Sequence, residues 1–328
     1  MAKTNLLTFE AFPERVVFED FDEEVLRGLG MFMARVTDGY AGDTAYRVVA
    51  GGGRVPRRPA AGAVPSRRRP WRRHVRQDGG DLVVMPGGRV HLAPGRAEAV
   101  VEWAGRAVDD FVATSLLETA LIHALALGGY VVNHAAALEV SGATLLAVGP
   151  SRTGKSTLCA AVLAAGGAVI SDDSVILGLD DEGAPSAGAL RRDLWLREGS
   201  VELLPDELRA RLWEASSFGE RHWGLERTAF PELFRTRVRP KAIVLLYRDR
   251  RVTGYQLRRV SSAEGLAGLI LASSPLFLSG RYPVERERCM PGLEALVNGA
   301  PCFEVRMGRA LVEDPAATVQ RLAEEIRS

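Results

Sequence analysis

The sequence predicts an α/β fold for its C-terminal two thirds, preceded by a smaller region. Three observations lead to this prediction. From about residue 107, apolar segments of strand length alternate with segments of helix length. A glycine-rich loop at residues 149–154 joins one such strand to one such helix. The strand that follows this helix ends on two aspartates, Asp172 and Asp173.

The composition is that of an ordinary globular protein. The 328 residues are enough for two domains or one elaborated domain, with 47% hydrophobic and 25% charged residues. The net charge of +1 implies no overall attraction to nucleic acid or to a membrane, and we expect neither as a partner. The three cysteines form no pattern of a disulfide framework or zinc site. With no signal-peptide pattern at the N-terminus, this predicts a reduced, cytoplasmic setting.

Residues 1–105 are predicted to form an N-terminal accessory and substrate-recognition region. They contain short alternating runs of strand type and a helical pattern over residues 22–36. Residues 51–80 are rich in glycine, proline and arginine, which predicts a loop. Nine arginines and no acid lie between Arg54 and Arg76. We interpret this run either as a solvated charged loop or as a dock for an acidic or phosphate-bearing part of a substrate; as a signal for nucleic-acid binding it is weak.

Residues 106–328 are predicted to form the second domain. Its first element is a helix over residues 107–127, opened by Asp109 or Asp110. Two strands then flank a turn at Ser141–Gly142. The later predicted elements are a helix at 155–167, strands at 168–173 and 174–183, a buried strand at 241–250, a helix with a capping-box start at 261–274, a strand at 300–308 and a helix at 314–328 with Pro315 in its first turn.

The glycine-rich loop matches the P-loop pattern Gly-x-x-x-x-Gly-Lys-Ser in full, and it lies between a strand and a helix as that pattern requires. Glycines allow backbone N–H groups to curl around phosphate oxygens, and the helix N-terminus adds positive partial charge. The lysine reaches the terminal phosphates, and the serine hydroxyl binds Mg²⁺. The predicted nucleotide-binding residues are Gly149, Pro150, Ser151, Arg152, Thr153, Gly154, Lys155, Ser156 and Thr157, the last also a weaker candidate for the metal.

The paired aspartates are the second candidate element. Asp172 and Asp173 follow Lys155 by 17 and 18 residues, which allows one helix and a short loop to return the chain beside the first strand. Both carboxylates then emerge at the same sheet edge as the P-loop. One is suited to hold Mg²⁺, and the other to accept a proton from an attacking hydroxyl. The alternative is that the pair only caps a turn or a helix.

His134 is the third candidate. It ends a strand that pairs through a tight turn with the strand leading into the P-loop. A lone histidine is most often structural, but this register places it close to the phosphate site. We therefore predict that His134 positions or tunes a catalytic carboxylate.

This combination resembles a known family. Residues 133–177, with the histidine, the P-loop and the paired aspartates at these spacings, resemble the catalytic domain of bacterial HPr kinase/phosphorylase. Residues 190–204 and 299–308 are similar to HPr-kinase-like serine kinases of biosynthetic clusters, some of which phosphorylate ribosomally made peptides such as lasso peptides. The resemblance covers roughly residues 107–328. It implies a P-loop kinase domain of the HPr-kinase/carboxykinase-like type with a mixed sheet, after a smaller α+β accessory region.

The resemblance implies a kinase that uses ATP and Mg²⁺ and phosphorylates a hydroxyl, in particular the serine of a peptide or protein. On the matching positions, one of Asp172 and Asp173 is implied as the general base with His134 as its neighbour, and Lys155 as a catalytic cation. We choose Asp172 as the base and Asp173, together with Ser156 of the P-loop, as the metal ligands. The opposite order of the two aspartates stays open. Relatives in this family form hexamers, so a homo-oligomer is a further expectation.

An arginine is also expected near the transferring phosphoryl group, because the charge on its oxygens needs cations around it. The candidates are Arg191, Arg192 and Arg197, and we choose Arg192. Ordinary surface charge is the alternative for each of them.

The sequence also departs from the family. The E-x-R-G-x-G pattern that should follow the paired aspartates is absent, and the usual N-terminal domain is not evident. Both departures argue against HPr itself as the substrate and against phosphorolysis. Alternative functions are a kinase of a small-molecule hydroxyl and a nucleotide-gated regulatory protein, although the chain has no N-K-x-D base-reading motif. A carboxykinase-like enzyme would need further metal-binding histidines, and only His134 lies near the motif.

Overall fold

The computed structural model describes residues 4–9, 12, 15–21, 26–32, 34–38, 46–51, 64–65, 73–77, 80–85, 88–103, 110–217, 220–273 and 282–328. The chain divides into two compact units. The first consists of Met1–Gly129 with Ser279–Arg288, and the second of Tyr130–Leu278 with Cys289–Ser328. Each unit is built around a large sheet of its own.

The first unit contains a nine-stranded sheet of order β3-β1-β2-β4-β9-β8-β7-β6-β5. Its strands run antiparallel except at the β2–β4 and β4–β9 pairs, which are parallel. The strands are β1 Thr4–Phe9, β2 Arg15–Glu19, β3 Ala34–Asp38, β4 Tyr46–Ala50, β5 Val64–Pro65, β6 Arg73–Gln77, β7 Gly80–Met85, β8 Gly88–Leu92 and β9 Glu98–Trp103.

Helix α1, Asp110–Leu127, covers this sheet. It lies so close to β8 that a Cβ on Gly88 would be 2.5 Å from Leu116 Cδ1. This packing places α1 in the first unit, whose main segment ends at Gly129. The helix that the sequence predicted over 107–127 is confirmed over Asp110–Leu127, and residues 107–109 lie outside the described residues. The assignment of recognition to residues 1–105 and catalysis to 106–328 stays a prediction.

The helix predicted over residues 22–36 is wrong. Among its described residues, the chain forms a 3₁₀ turn, Arg27–Met31, and then strand β3. The turn lies against α1, since a Cβ on Gly28 would be 3.2 Å from Leu117 Cδ1. Pairing of β3 with β1 and this close approach therefore outweigh the helical pattern.

The loop predicted over residues 51–80 is also wrong in part. Val64–Pro65 and Arg73–Gln77 are strands, and β6 pairs with β7 from Arg73 opposite Val84 to Gln77 opposite Gly80. Main-chain pairing with a neighbouring strand is a long-range contact that local composition does not report. The remainder of 52–79, and the side chains of the arginine run, lie outside the described residues.

A buried polar cluster stabilises the first unit. The Tyr46 hydroxyl lies 2.6 Å from His123 Nδ1, and His123 Nε2 lies 3.0 Å from Glu285 Oε1. Glu285 also accepts a hydrogen bond from the Gly95 N–H at 2.7 Å. Burial favours the neutral form of Glu285, but the hydrogen bonds from His123 and Gly95 outweigh it, and the pKa of Glu285 is lowered.

We expect Glu285→Gln to lower the free energy of unfolding by about 3 kcal/mol, because it removes one partner of a fully buried pair. Urea denaturation followed by circular dichroism measures this. Glu287→Gln is the matched control, since Glu287 is exposed on the same helix. Equal stabilities of the two variants would contradict the expectation.

The second unit contains a mixed sheet of order β18-β14-β13-β10-β11-β19-β21-β20, with β12 paired to one half of β10. Strands β11, β19 and β21 are parallel. A separate three-stranded antiparallel sheet has the order β15-β17-β16. The strands are β10 Val131–Val140, β11 Ala143–Val148, β12 Ala168–Ser171, β13 Ser174–Leu179, β14 Pro185–Ala189, β15 Asp193–Leu196, β16 Trp213–Ser217, β17 Glu220–Glu226, β18 Arg237–Val238, β19 Ala242–Arg248, β20 Tyr255–Val260 and β21 Cys302–Met307.

The helices of this part of the chain are α2 Lys155–Ala164, α3 Glu198–Val201, α4 Asp206–Arg209, α5 Ser262–Ala272, α6 Pro283–Gly299, α7 Ala310–Glu313 and α8 Pro315–Arg327, with 3₁₀ turns at Arg227–Ala229 and Pro231–Leu233. The first residues of α6, up to Arg288, belong to the first unit. The predicted capping box of α5 is present: the Ser261 hydroxyl accepts from the Glu264 N–H, and the Glu264 carboxylate accepts from the Ser261 N–H.

Helix α2 and the strands around it form the core of the second unit. Leu158, Val162 and Leu163 of α2 are buried against the apolar face of β10 and β11 and against α8. The helix ends where Gly166, at φ +73°, donates to Leu163 O and the next N–H donates to Val162 O. The chain then enters β12, which pairs with β10. Asp172 and Asp173 directly follow the end of β12.

The predicted mixed α/β architecture is confirmed by these elements. The three cysteines are buried and form no disulfide bond. No helix among the described residues is long and apolar enough to cross a membrane.

Candidate phosphate-binding and catalytic site

The loop between β11 and α2 has the backbone of a phosphate cradle. A Cβ on Gly149 would lie 2.5 Å from Leu246 O of β19, so only glycine fits there. Arg152 and Gly154 have left-handed φ values of +70° and +107°. At Gly154 there is open space where a side chain would be. Left-handed residues within such a turn direct successive N–H groups into one concavity, which suits an anion at the start of α2.

Lys155 places a positive charge inside this loop. The residue is only 5% exposed, and its Nζ donates to Gly149 O at 2.7 Å and to Pro150 O at 3.0 Å. The lysine side chain bends back over the loop, and these hydrogen bonds compensate for the burial of its ammonium group. The ammonium therefore lies where the P-loop pattern expects the terminal phosphates.

The hydroxyl groups of the loop have different surroundings. Thr153 Oγ1 donates to Pro150 O at 2.9 Å and so braces the turn. Thr157 Oγ1 lies 3.2 Å from the Ser200 hydroxyl of α3. Ser156 is half-buried at the first turn of α2. Pro150 and Ser151 continue the predicted nucleotide-binding loop at its outer side.

Strand β10 brings the other predicted residues to the same edge. Its residue Ala135 pairs with Val148, the last residue before the P-loop. One part of β10 pairs with β12 and the next part pairs with β13, both antiparallel, so the β12–β13 connection runs alongside β10. Asp172 and Asp173 form that connection, and the Ala135 N–H donates to Asp173 O at 3.2 Å. His134 lies opposite Ser174 in the same register.

Asp172 is the buried carboxylate of the pair. It is 5% exposed, and its Oδ2 accepts from the Trp195 N–H at 3.3 Å. Burial, and then the negative charge of Asp173, raise the pKa of Asp172 to about 7, although the positive charge of Arg227 and the backbone hydrogen bonds oppose the rise. A carboxylate with such a pKa is suited to accept a proton near neutral pH.

Asp173 is the accessible carboxylate. Its side chain is 36% exposed, and its Oδ1 lies 2.7 Å from His134 Nδ1. Ser174 Oγ donates to its other oxygen at 3.3 Å. His134 therefore contacts Asp173 directly, whereas the sequence predicts it as the neighbour of the general base, for which Asp172 is chosen. Asp173 is suited to bind a metal ion, because its side chain is partly exposed and both of its carboxylate oxygens are oriented by neighbouring side chains.

An arginine that the sequence analysis missed acts on this site. Arg227, at the end of β17, is 5% exposed, and its positive charge opposes the rise in the Asp172 pKa. Burial raises the pKa of Cys159 well above its usual value, with the Asp172 charge adding to this and the charges of Lys155 and Arg227 opposing it. The charged groups of Asp172, Lys155 and Arg227 therefore all lie near Cys159 of α2.

Arg192 has a different surrounding. Its positive charge acts on Asp193, whose pKa is raised by burial and by Glu226, the residue directly opposite on β17.

No local pattern in the sequence indicates Arg227 as a site residue, because it follows a strand and begins a short 3₁₀ turn. Only the return of β17 beside β15 brings it to the paired aspartates.

The raised pKa of Asp172 predicts how stability depends on pH. Between the ordinary aspartate pKa and about 7, the folded protein holds a proton that the unfolded chain has released. This contribution is present at low pH and is lost as the pH rises through about 7. Relative to Asp172→Asn, the wild type is expected to lose on the order of 3 kcal/mol of unfolding free energy between pH 5 and 8.

Urea unfolding of the nucleotide-free protein in chelator-containing buffer, at four pH values, measures this loss. Asp181→Asn is the control, because Asp181 is an exposed aspartate on a turn. Parallel curves for the wild type and Asp172→Asn would contradict the expectation.

The residues present fit a magnesium nucleotide. Gly154 leaves open the space that a side chain would fill, Lys155 supplies a buried cation, and the N-terminus of α2 faces the loop. Ser156 and Asp173 offer a hydroxyl and a carboxylate oxygen, the ligand type that Mg²⁺ prefers. Ser156 and the nucleotide-binding role of Gly149–Thr157 stay predictions, as do the roles of the two aspartates and His134.

No protein-family model matches the chain, and no curated protein matches it. Among solved structures, the chain is similar to the Hpr(Ser) kinase/phosphatase from Coxiella burnetii. The match covers 60% of this chain and 99% of that chain, with 11% sequence identity and a TM-score of 0.32.

Proposed function

We propose that the protein is an ATP- and Mg²⁺-dependent kinase of the HPr-kinase-like type. In this proposal it transfers the γ-phosphoryl group to a hydroxyl, in particular the serine of a peptide or protein. The observation that carries the proposal is Asp172, a buried carboxylate with a pKa of about 7 whose charge, like that of the P-loop lysine, acts on Cys159 of α2. Nucleotide binding alone requires no such proton acceptor, whereas phosphorylation of a hydroxyl does.

The roles of the residues follow from their positions. ATP supplies the phosphoryl group, and Mg²⁺ offsets the charge on its oxygens. Lys155 and Arg227 add fixed positive charge that stabilises the transition state. Asp172 accepts the proton of the acceptor hydroxyl as the hydroxyl oxygen bonds to the γ-phosphorus, while the bond from that phosphorus to the β–γ bridging oxygen breaks and ADP leaves. Asp173, oriented by His134, and Ser156 hold the metal ion.

Transfer of labelled phosphate from ATP tests the proposal. The acceptors are serine-containing peptides, HPr, free serine and small hydroxyl compounds, each with Mg²⁺ and with chelator. A labelled acceptor that forms only with Mg²⁺ would support the kinase and identify the acceptor class. Tight ATP binding without transfer to any acceptor would instead favour a nucleotide-gated regulatory protein.

The arginine run at residues 54–76 belongs to the same proposal as a dock for an acidic part of the substrate. Its charge density supports this, with nine arginines and no acid. Deletion of residues 54–76 is expected to raise the KM for the acceptor; an unchanged KM and rate would remove this part of the proposal.

A further inference from the structure

An aromatic corner lies on the three-stranded sheet of the second unit. We define it as Trp195, Trp213 and Gly224. Gly224 of β17 lies opposite Trp195 of β15 on one side and opposite Trp213 of β16 on the other. A Cβ on Gly224 would be 2.7 Å from Trp213 Nε1, so the glycine makes room for that ring. The two indole rings are 4.8 Å apart at 76° and form two walls of the corner.

The aromatic corner lies on the face of the sheet that is not used by the core. Leu194 and Leu196 of β15 and Leu225 of β17 alternate with the corner residues and are fully buried in the core. On the opposite face, Trp213 is 41% exposed and is one of the few large apolar side chains that are. Alternate residues of a strand point to opposite faces, so the core does not need the side chain of Trp213. Its exposure on the other face is therefore not explained by packing of the core.

The aromatic corner is continuous with the candidate site. The Trp195 N–H donates to Asp172 Oδ2 at 3.3 Å, so one residue joins the corner to the proposed base. The indole Nε1 of Trp195 is shielded from water and has no hydrogen-bond acceptor among the residues that the structure describes. Buried indole donors usually have a partner, so this donor is suited to an acceptor atom that a ligand brings.

We propose that the aromatic corner binds an aromatic side chain adjacent to the hydroxyl that is phosphorylated. The ring packs against Trp213 and Trp195, and a carbonyl oxygen of the same molecule accepts from Trp195 Nε1–H. This inference rests on the proposed kinase function and adds to it the specificity of the acceptor site. A nucleobase is the competing occupant, but the hydrogen bond to Asp172 places the corner on the side of the proton acceptor.

The test compares three peptides of one length: acetyl-Ala-Trp-Ser-Ala-amide, acetyl-Ala-Ser-Trp-Ala-amide and acetyl-Ala-Ala-Ser-Ala-amide. The measured quantity is the ratio of kcat/KM for the better tryptophan peptide to that for the alanine peptide, within each variant. We expect roughly tenfold preference in the wild type, mostly in KM, and a ratio near one in Trp213→Ala. Trp223→Phe is the matched control on the opposite face of β17, and it is expected to keep the preference. A ratio near one in the wild type, or an unchanged ratio in Trp213→Ala, would overturn the inference.

Saturation-transfer NMR with the same peptides separates this inference from the proposed function, because it needs no turnover. We expect the peptide indole protons to receive saturation from the wild type and from Trp223→Phe, and not from Trp213→Ala. If no peptide is phosphorylated, the kinase proposal fails as to peptides, and the NMR result alone decides the inference. Loss of saturation at the adenine protons of ATP in Trp213→Ala would show that the corner binds the nucleobase, and would overturn it.

Discussion

Lys155→Ala is expected to lower the rate of phosphoryl transfer by about 10²–10³-fold. The lysine is buried, and its Nζ is fixed by the carbonyl groups of Gly149 and Pro150 at the mouth of the loop. A charge fixed in a poorly solvated site stabilises developing charge without reorganisation, and alanine removes that charge entirely. The initial rate of phosphate transfer at saturating ATP measures the effect.

Lys241→Ala is the matched control for this variant. Lys241 is exposed just before β19, at the end of the sheet away from the P-loop, where its N–H donates to Thr144 O. Its loss is expected to leave the rate within about twofold, since exposed charges contribute little. Equal rates for Lys155→Ala and the wild type, in folded protein, would rule out the P-loop as the catalytic phosphate site.

Asp172→Asn is expected to lower the rate by about 10²–10⁴-fold while leaving ATP affinity nearly unchanged. Asparagine keeps the shape and still accepts the Trp195 N–H, but it cannot take up the proton of the hydroxyl. In the wild type the rate is expected to rise with pH through about 7, because only the ionised form of Asp172 accepts a proton. Pre-steady-state rates between pH 5.5 and 8.5 measure both effects.

Asp173→Asn distinguishes the two aspartates. If Asp173 holds the metal ion, its replacement weakens the Mg²⁺ dependence and keeps the rise with pH. If instead Asp173→Asn abolishes that rise and Asp172→Asn keeps it, the roles are reversed. The contact of His134 with Asp173 at 2.7 Å makes Asp173 the carboxylate that responds to a change at His134.

The pH that activates Asp172 is also the pH at which it destabilises the fold. The buried carboxylate contributes to stability while it is protonated and loses that contribution as it ionises through about 7. If Asp172 is the proton acceptor, the ionised form that transfer requires is therefore also the form that lowers folding stability, as is common for charged groups in active sites. Measurements of rate and unfolding on the same samples should show opposite slopes.

Local patterns determined several elements of the second unit. The strand before the P-loop, helix α2, the capped helix α5 and the terminal helix α8 each have an apolar period and an end signal within a few residues. The P-loop is equally local, since eight consecutive residues contain its glycines, lysine and serine. The proximity of Asp172–Asp173 to the loop also followed from the length of one helix and one strand.

Tertiary contacts decided the rest. The 22–36 pattern became a turn and a strand because β1 and α1 were available as partners, and parts of the 51–80 segment became strands because β7 pairs with β6. Arg227 and the aromatic corner reach the site through the pairing of β15 with β17, which joins residues about 30 positions apart. The sequence by itself therefore determined the phosphate loop and its local chemistry. Only the tertiary structure decided which cation acts on Asp172 and which main-chain N–H donates to it, because those contacts depend on strand pairing over long separations, to which no local period corresponds.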